Sequence, residues 1–279
     1  MITQGIDFKR FKLAVFDVDG TLLDSAHTLR PFTRQTLLTL QERGIHLSLA
    51  TGKMLNTLSN LIEALQLSVP LVLANGAVLQ HPDGRVVSEN CMRRELVRTI
   101  LDLGERHNIT CVIQRVGGTF TLQENRHIRS LLQYGGSFRY CGQWDAAPGG
   151  LEDVVKILTV EADSPERLRE FETIVKHELS SQVDSLATVP QILEYMTPGV
   201  NKAFGIRRLA DWLGIGLHQV MAFGDDSNDV EMLQAAGLGL AMGNAIASAK
   251  ASADLVIGSH DEEGPAAFLA ALLKDNLFA

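Results

Sequence analysis

The chain has 279 residues, 46% hydrophobic and 21% charged, with a formal net charge of -8. That is enough for one large domain or two ordinary ones around a real core. The acidic balance excludes a typical nucleic-acid binder, which needs a basic face, and means that any anionic ligand must be held by local charge.

The opening segment, "MITQGIDFKRFK", has no apolar h-region. The longest apolar stretches, such as 69–79, fall short of the ~20 residues that span a bilayer. A cytoplasmic protein with no membrane partner is expected. Cys91, Cys111 and Cys141 are odd in number and show no CxxC spacing, so they read as reduced thiols rather than a disulfide framework or a zinc site.

In chain order, Lys12 to Phe16 predicts a buried strand. Pro31 to Arg43 predicts a helix stopped by Gly44. Ile45 to Ala50 is a strand, Leu55 to Leu67 a helix and Pro70 to Ala74 a third strand. This alternation predicts a parallel sheet wrapped by helices, with ligands at the carboxyl ends of its strands. From about His81 to Ala187 the character changes. Charges are denser, strands look half-exposed, and glycines cluster at Gly117, Gly118, Gly135, Gly136, Gly149 and Gly150. A hairpin of Thr110 to Arg115 with Thr119 to Gln123, a strand over Val154 to Val160, a helix over Pro165 to Glu178 and a strand near Val183 to Ala187 predict an α+β module. The first pattern then resumes: helix Lys202 to Trp212, strand Val220 to Phe223, helix Asp229 to Ala236, strand Leu238 to Met242, helix Ala245 to Ala251, strand Leu255 to Ile257 and a helix after Pro265. The expected organisation is an α/β, doubly wound parallel-sheet core built from 1–80 and 189–279. An α+β domain is inserted over 81–188, between a turn at Pro82-Asp83-Gly84 and a return near Pro190.

Four predicted strands end in polar clusters: Asp17 and Asp19; Thr51-Gly52-Lys53; Asn75-Gly76; and Asp225, Asp226, Asn228 and Asp229. One Asp-Gly pair alone is a solvated turn or a helix cap. Four clusters at one sheet edge, rich in carboxylates, point to a metal site, and oxygen donors suit Mg²⁺. A carboxylate ionised at neutral pH can act as a nucleophile without a base. Asp17 is placed to attack phosphorus, and Asp19, two residues on, to carry a proton. Gly20 lets the backbone leave the strand at an angle that a side chain would forbid.

Asp17-Val18-Asp19-Gly20-Thr21-Leu22-Leu23, Ala50-Thr51-Gly52-Lys53, Lys202 in Gly199-Val200-Asn201-Lys202, and Gly224-Asp225-Asp226-Ser227-Asn228-Asp229 follow one another in the order of four known motifs. The sequence resembles the haloacid dehalogenase superfamily of phosphohydrolases. Asn75-Gly76-Ala77 and Ala241-Met242-Gly243-Asn244-Ala245 echo its Cof-type subfamily, which carries a type IIB cap between the second and third motifs.

The resemblance implies a Rossmann-like core and a Mg²⁺ cofactor. It makes Asp17 the nucleophile and a metal ligand, and Asp19 the general acid/base and a metal ligand through its carbonyl. Asp225 becomes the third ligand, with Asp226 and Asp229 behind the metal and Asp229 orienting a metal water or Lys202. Val18, Thr51, the Gly52 amide, Lys202 and Asn228 hold the phosphate. Lys53 stands where the subfamily usually has arginine, and it lacks the bidentate fork. The implied activity is Mg²⁺-dependent hydrolysis of small phosphorylated metabolites, sugar phosphates or related phosphomonoesters, by a monomer or weak homo-oligomer. A phosphomutase or phosphotransferase working through the same aspartyl-phosphate is the alternative. A regulatory protein on a dead scaffold would be expected to lack Asp17 or Asp225, and both are present. His107 and His127 read as helix-face residues; Arg115, Arg126, His127 and Arg139 could face the substrate from the cap, with solvated charge the favoured reading.

Overall fold

The computed structural model describes residues 6–132 and 137–278. Its first elements are strand β1 (Leu13–Phe16), helix α1 (Pro31–Glu42), strand β2 (His46–Leu49), helix α2 (Ser59–Ala64) and strand β3 (Leu71–Leu73), followed by β4 (Val78–Gln80) and β5 (Val86–Glu89). The middle runs α3 (Arg94–His107), β6 (Thr110–Arg115), β7 (Gly118–Thr121), α4 (Arg126–Leu131), β8 (Phe138–Tyr140), β9 (Lys156–Val160), α5 (Pro165–Leu179), β10 (Asp184–Val189) and β11 (Ile192–Met196). The last part is α6 (Lys202–Leu213), β12 (Val220–Gly224), α7 (Val230–Ala235), β13 (Leu238–Ala241), α8 (Ala247–Ser252), β14 (Leu255–Val256) and α9 (Gly264–Lys274). Among the described residues, no helix is long and apolar enough to cross a membrane.

The chain divides into two compact units, Met1–Ser88 with Asn201–Ala279, and Glu89–Val200. In the first, a five-stranded parallel sheet has the order β14-β13-β12-β1-β2. Every residue of β1 is buried, as a strand covered on both faces requires. Leu13, Val15, Val220 and Ala222 pack with Ile206 and Leu209 of α6 in one core. A parallel bridge between Ala50 and Val72 sets β3 beside β2.

The second unit is built on a six-stranded sheet in the order β10-β11-β9-β6-β7-β8. Ile113, Ile157 and Leu193 meet residues of α3 and α5. Val112, Leu158 and Val160, on alternate positions, meet Ile128 and Leu131 of α4.

The boundaries fall later than the sequence suggests, at 88/89 and 200/201 rather than 80/81 and 188/189. At the first, β4 and β5 continue a three-stranded sheet with β3, so the turn at Pro82-Asp83-Gly84 lies inside the first unit. At the second, β11 pairs with both β10 and β9, which keeps the chain in the second unit beyond Pro190. The helix predicted over 55–67 is broken into a 3-10 turn at Leu55–Thr57 and α2; Asn56, Thr57, Ser59 and Asn60 are poor helix formers. The amphipathic α3 lies in a stretch where dense charge hides a buried stripe of Leu96, Val97, Ile100 and Leu101. The strand predicted over 154–160 lies in the stretch expected to be half-exposed, yet every residue of β9 is buried; β11, also buried throughout, matches no predicted strand. Gly135 and Gly136 lie outside the described residues.

Candidate active site

Strands β3, β2, β1 and β12 are consecutive neighbours and parallel, so the four polar clusters share one sheet edge. The Thr51 amide donates to the Val72 carbonyl and the Asn75 amide to the Thr51 carbonyl, both at 2.9 Å, which holds the second and third clusters together.

Asp17 is buried at the end of β1. Lys202, the first residue of α6, reaches it from the other side of the sequence. Asn201 caps that helix by accepting the Phe204 amide at 2.9 Å, which fixes where Lys202 leaves the backbone. The Lys202 Nζ lies 2.6 Å from Asp17 Oδ1 and 2.6 Å from Asp229 Oδ1, with its side chain fully buried. The other Asp229 oxygen accepts the amides of Asp225 at 2.9 Å and Asp226 at 3.1 Å. Asp229 therefore organises both the lysine and the loop after β12.

The electrostatics follow from burial. Removal from water pushes Asp17 well above the usual carboxylate range; Lys202 pulls it back, while Asp229 and Asp225 push it further up. Burial would lower Lys202, but the two carboxylates outweigh it and the ammonium is raised. Asp225 is pushed up to about 6, chiefly by burial, against the Thr21 hydroxyl that donates to its Oδ1 at 2.9 Å. Carboxylate oxygens of Asp17, Asp225 and Asp229 all lie within 4.8 Å of one another. Three carboxylates beside one lysine, which bonds only Asp17 and Asp229, leave a surplus of negative charge, and an all-oxygen donor set fits a hard divalent cation.

The structure gathers most of the expected residues. The Asp19 carboxylate is not part of the trio. It is paired with the Lys53 ammonium, and His27 Nδ1 lies 3.4 Å from it. The third carboxylate of the trio is that of Asp229, which also bonds Lys202. Asp226 is exposed and accepts the Ser227 amide at 2.6 Å, capping the 3-10 turn Ser227–Asp229. Thr51 is buried, and Asn228 Nδ2 donates to Asn75 Oδ1 at 3.0 Å. A Cβ on Gly52 would come within 3.3 Å of the Asn75 amide group, so Thr51, Gly52, Asn75 and Asn228 form one polar cradle. Val18 is buried, and its carbonyl accepts the Leu22 and Leu23 amides at 3.0 Å. Gly20 has φ +79°, and a Cβ there would lie 2.3 Å from Asp225 Oδ2. The open angle after β1 is thus also the space that Asp225 occupies.

His27 and Asn244 have contacts that the sequence reading assigns to neither. Each works through tertiary proximity, with no local spacing to reveal it. In the second unit, Arg115 is buried rather than solvated, and its guanidinium binds the Pro148 and Gly150 carbonyls. Arg126 pairs with Asp163, and Arg139 lies over the Phe120 ring. His127 Nδ1 accepts the Ala162 amide at 2.9 Å, while His107 ends α3.

The site is a parallel α/β sheet edge with a buried aspartate–lysine–aspartate chain, and comparison with known proteins gives its class as hydrolase. Residues 14–269 match the haloacid dehalogenase-like hydrolases, and the chain belongs to that family. It is 29% identical over 264 residues to the 5-amino-6-(5-phospho-D-ribitylamino)uracil phosphatase YitU of Bacillus subtilis, covering 92% of this chain and 96% of that protein. It is 31% identical over 235 residues to the HMP-PP phosphatase of Cronobacter sakazakii, covering 84% of this chain and 85% of the relative. A crystal structure of a haloacid dehalogenase-like hydrolase from Bacteroides thetaiotaomicron superposes with a TM-score of 0.85 at 25% identity, covering 94% of this chain and 99% of that one.

Proposed function

We propose that the chain is a Mg²⁺-dependent phosphatase of small phosphorylated metabolites, sugar phosphates or related phosphomonoesters, acting through an aspartyl-phosphate on Asp17. The carrying observation is the buried Asp17–Lys202–Asp229 chain with the Asp225 carboxylate beside it. The relatives' names, both phosphatases, support the substrate class.

Mg²⁺ held by Asp17, Asp225 and the Asp19 carbonyl would offset the negative charge between carboxylate and phosphoryl group and favour ionised Asp17. Lys202 orients Asp17 and adds preorganised positive charge where it is needed. Thr51, Gly52, Asn228 and the backbone at Val18 hold the phosphoryl oxygens. An Asp17 oxygen bonds to phosphorus as the bond to the leaving oxygen breaks, and Asp19 gives that oxygen its proton. Water then attacks the aspartyl-phosphate and passes a proton to Asp19. Inorganic phosphate leaves as the Asp17–phosphorus bond breaks. The unit Glu89–Val200 is assigned the choice of leaving group.

A panel of phosphomonoesters, read by inorganic phosphate release without a bisphosphate activator, tests the class. Asp17→Asn keeps the shape and removes the attacking charge, so release should fall to background with an unchanged circular dichroism spectrum. Survival of a tenth of wild-type turnover would rule out the covalent route, and dependence on added bisphosphate would indicate a mutase.

A further inference from the structure

Asp225 is held differently from its neighbours. Asp17 and Asp229 share the Lys202 ammonium. The Asp225 carboxylate instead meets neutral donors: the Thr21 hydroxyl at 2.9 Å from Oδ1, and the Asn244 amide nitrogen at 3.4 Å from Oδ2. The same Asn244 nitrogen donates to the Gly20 carbonyl at 2.8 Å, and Asn244 Oδ1 accepts the His260 amide at 3.0 Å.

These partners leave one orientation for the side chain. A carbonyl and a carboxylate can only accept, and a backbone amide can only donate, so Nδ2 faces the site and Oδ1 faces His260. Asn244 is exposed, yet both ends of its amide are engaged. Its backbone surroundings are anchored as well. The Met242 amide donates to the carbonyl of Gly224, the last residue of β12, at 3.0 Å, and the Ile246 amide donates to the Asp225 carbonyl at 2.9 Å. The turn after β13 therefore wraps the end of β12, and one side chain joins that end to the turn after β1.

We propose that Asn244 is a positioning residue for the cation site, fixing the Asp225 carboxylate against the Gly20 turn and so setting the affinity for Mg²⁺. The assignment rests on the proposed function. A lysine or arginine could hold Asp225 as firmly, but it would neutralise the charge that a divalent cation needs. An amide and a hydroxyl orient the carboxylate and leave its charge in place. Groups that orient a metal ligand in this way are typically worth about 10–100-fold in metal affinity or activity.

Titration calorimetry of the full chain with Mg²⁺ reads this effect apart from turnover. Asn244→Ala should raise the Kd for Mg²⁺ by about 10-fold or more. Its melting temperature without Mg²⁺ should stay close to wild type, because the side chain is exposed. With p-nitrophenyl phosphate, excess Mg²⁺ should restore most of kcat and leave KM unchanged. Asn244→Ser, too short to bridge both acceptors, should behave alike and serves if the alanine variant folds poorly. Thr21→Val, which removes the other neutral donor, should shift the Kd in the same direction. An unchanged Kd in the Asn244 variants overturns the assignment, as does a loss of kcat that no Mg²⁺ restores. If the wild-type chain takes up no Mg²⁺, the proposed function falls and this assignment with it. If wild type binds and the variants bind equally, only the assignment falls.

Discussion

Lys202 shows how much one residue can carry when two parts of the chain need it. It lies 185 positions from Asp17 and touches it at 2.6 Å. Because the ammonium is fully buried between two carboxylates, its removal has two separable effects. Lys202→Ala should lower kcat/KM by about 10²–10³, the scale of one lost preorganised donor. It should also cost on the order of 3–5 kcal/mol of stability, since buried carboxylates are left without their cation. Denaturant unfolding midpoints measure the second effect and steady-state kinetics the first. Lys53 is the contrasting case. Its pair with Asp19 is partly exposed, with side chains 27% and 41% accessible, so solvent screens it. Lys53→Ala should change stability by no more than about 1 kcal/mol, and its kinetic cost should be smaller than that of Lys202→Ala. A larger kinetic loss at Lys53 would mean that the lysine of the third motif is not the one that serves Asp17.

Lys202 reaches Asp17 only because α6 docks closely on β3, and two glycines allow that approach. A Cβ on Gly205 would lie 2.2 Å from Val72 Cγ1, and one on Gly76 would lie 2.0 Å from the Asn201 carbonyl. Gly205→Ala sets two effects against each other. Alanine favours a helix interior over glycine by about 1 kcal/mol, whereas overpacking costs about 1–3 kcal/mol. At 2.2 Å the clash should win, so the variant should melt lower than wild type. In a Val72→Ala background the same substitution should cost less, and a double-mutant cycle of melting curves would measure that coupling. Additive losses would place the strain elsewhere. Close packing of this kind is what the sequence could not display. The alternation of strands and helices was legible because apolar runs and Gly stops are local, and the strand-end clusters because parallel topology brings strand ends together. The limits of the inserted unit were not legible, since pairing of β11 with β9 is a non-local choice. The Asn244 and His27 contacts were hidden for the same reason, as was the burial of Arg115 by the carbonyls of a distant loop.

At the scale of the molecule, each unit has its own buried core, one around β1 and β12 and another between β6, β9, α3 and α5. The segment Glu89–Val200 expressed alone should therefore unfold cooperatively, with a sloping, non-cooperative melt counting against it. Charge acts on the first unit more selectively. The chain is net acidic, at -8, and at one point Asp17, Asp225 and Asp229 bring carboxylate oxygens within 4.8 Å of one another. Burial pushes Asp225 up to about 6 and Asp17 upward as well. A carboxyl whose folded value exceeds its unfolded value binds its proton more tightly in the fold. The resulting stability is fully present below the unfolded value of ~3.9 and is lost as pH rises through about 6. Asp24, Asp83 and Asp261 shift the other way, with Asp83 lowered to about 2, so they stay ionised above pH ~5 and add no slope there. Mg²⁺ needs the ionised carboxylates and competes with these protons. At about 100 times its Kd it should add about 2.7 kcal/mol, and the gain should be largest above pH 6. The quantity to follow is the difference in melting temperature with and without Mg²⁺. That difference should grow from pH 5 to pH 7.5 in the wild-type chain and be much reduced in Asp225→Asn. An Mg²⁺ shift as large at pH 5 as at pH 7.5 would mean that the ion binds somewhere other than this carboxylate cluster.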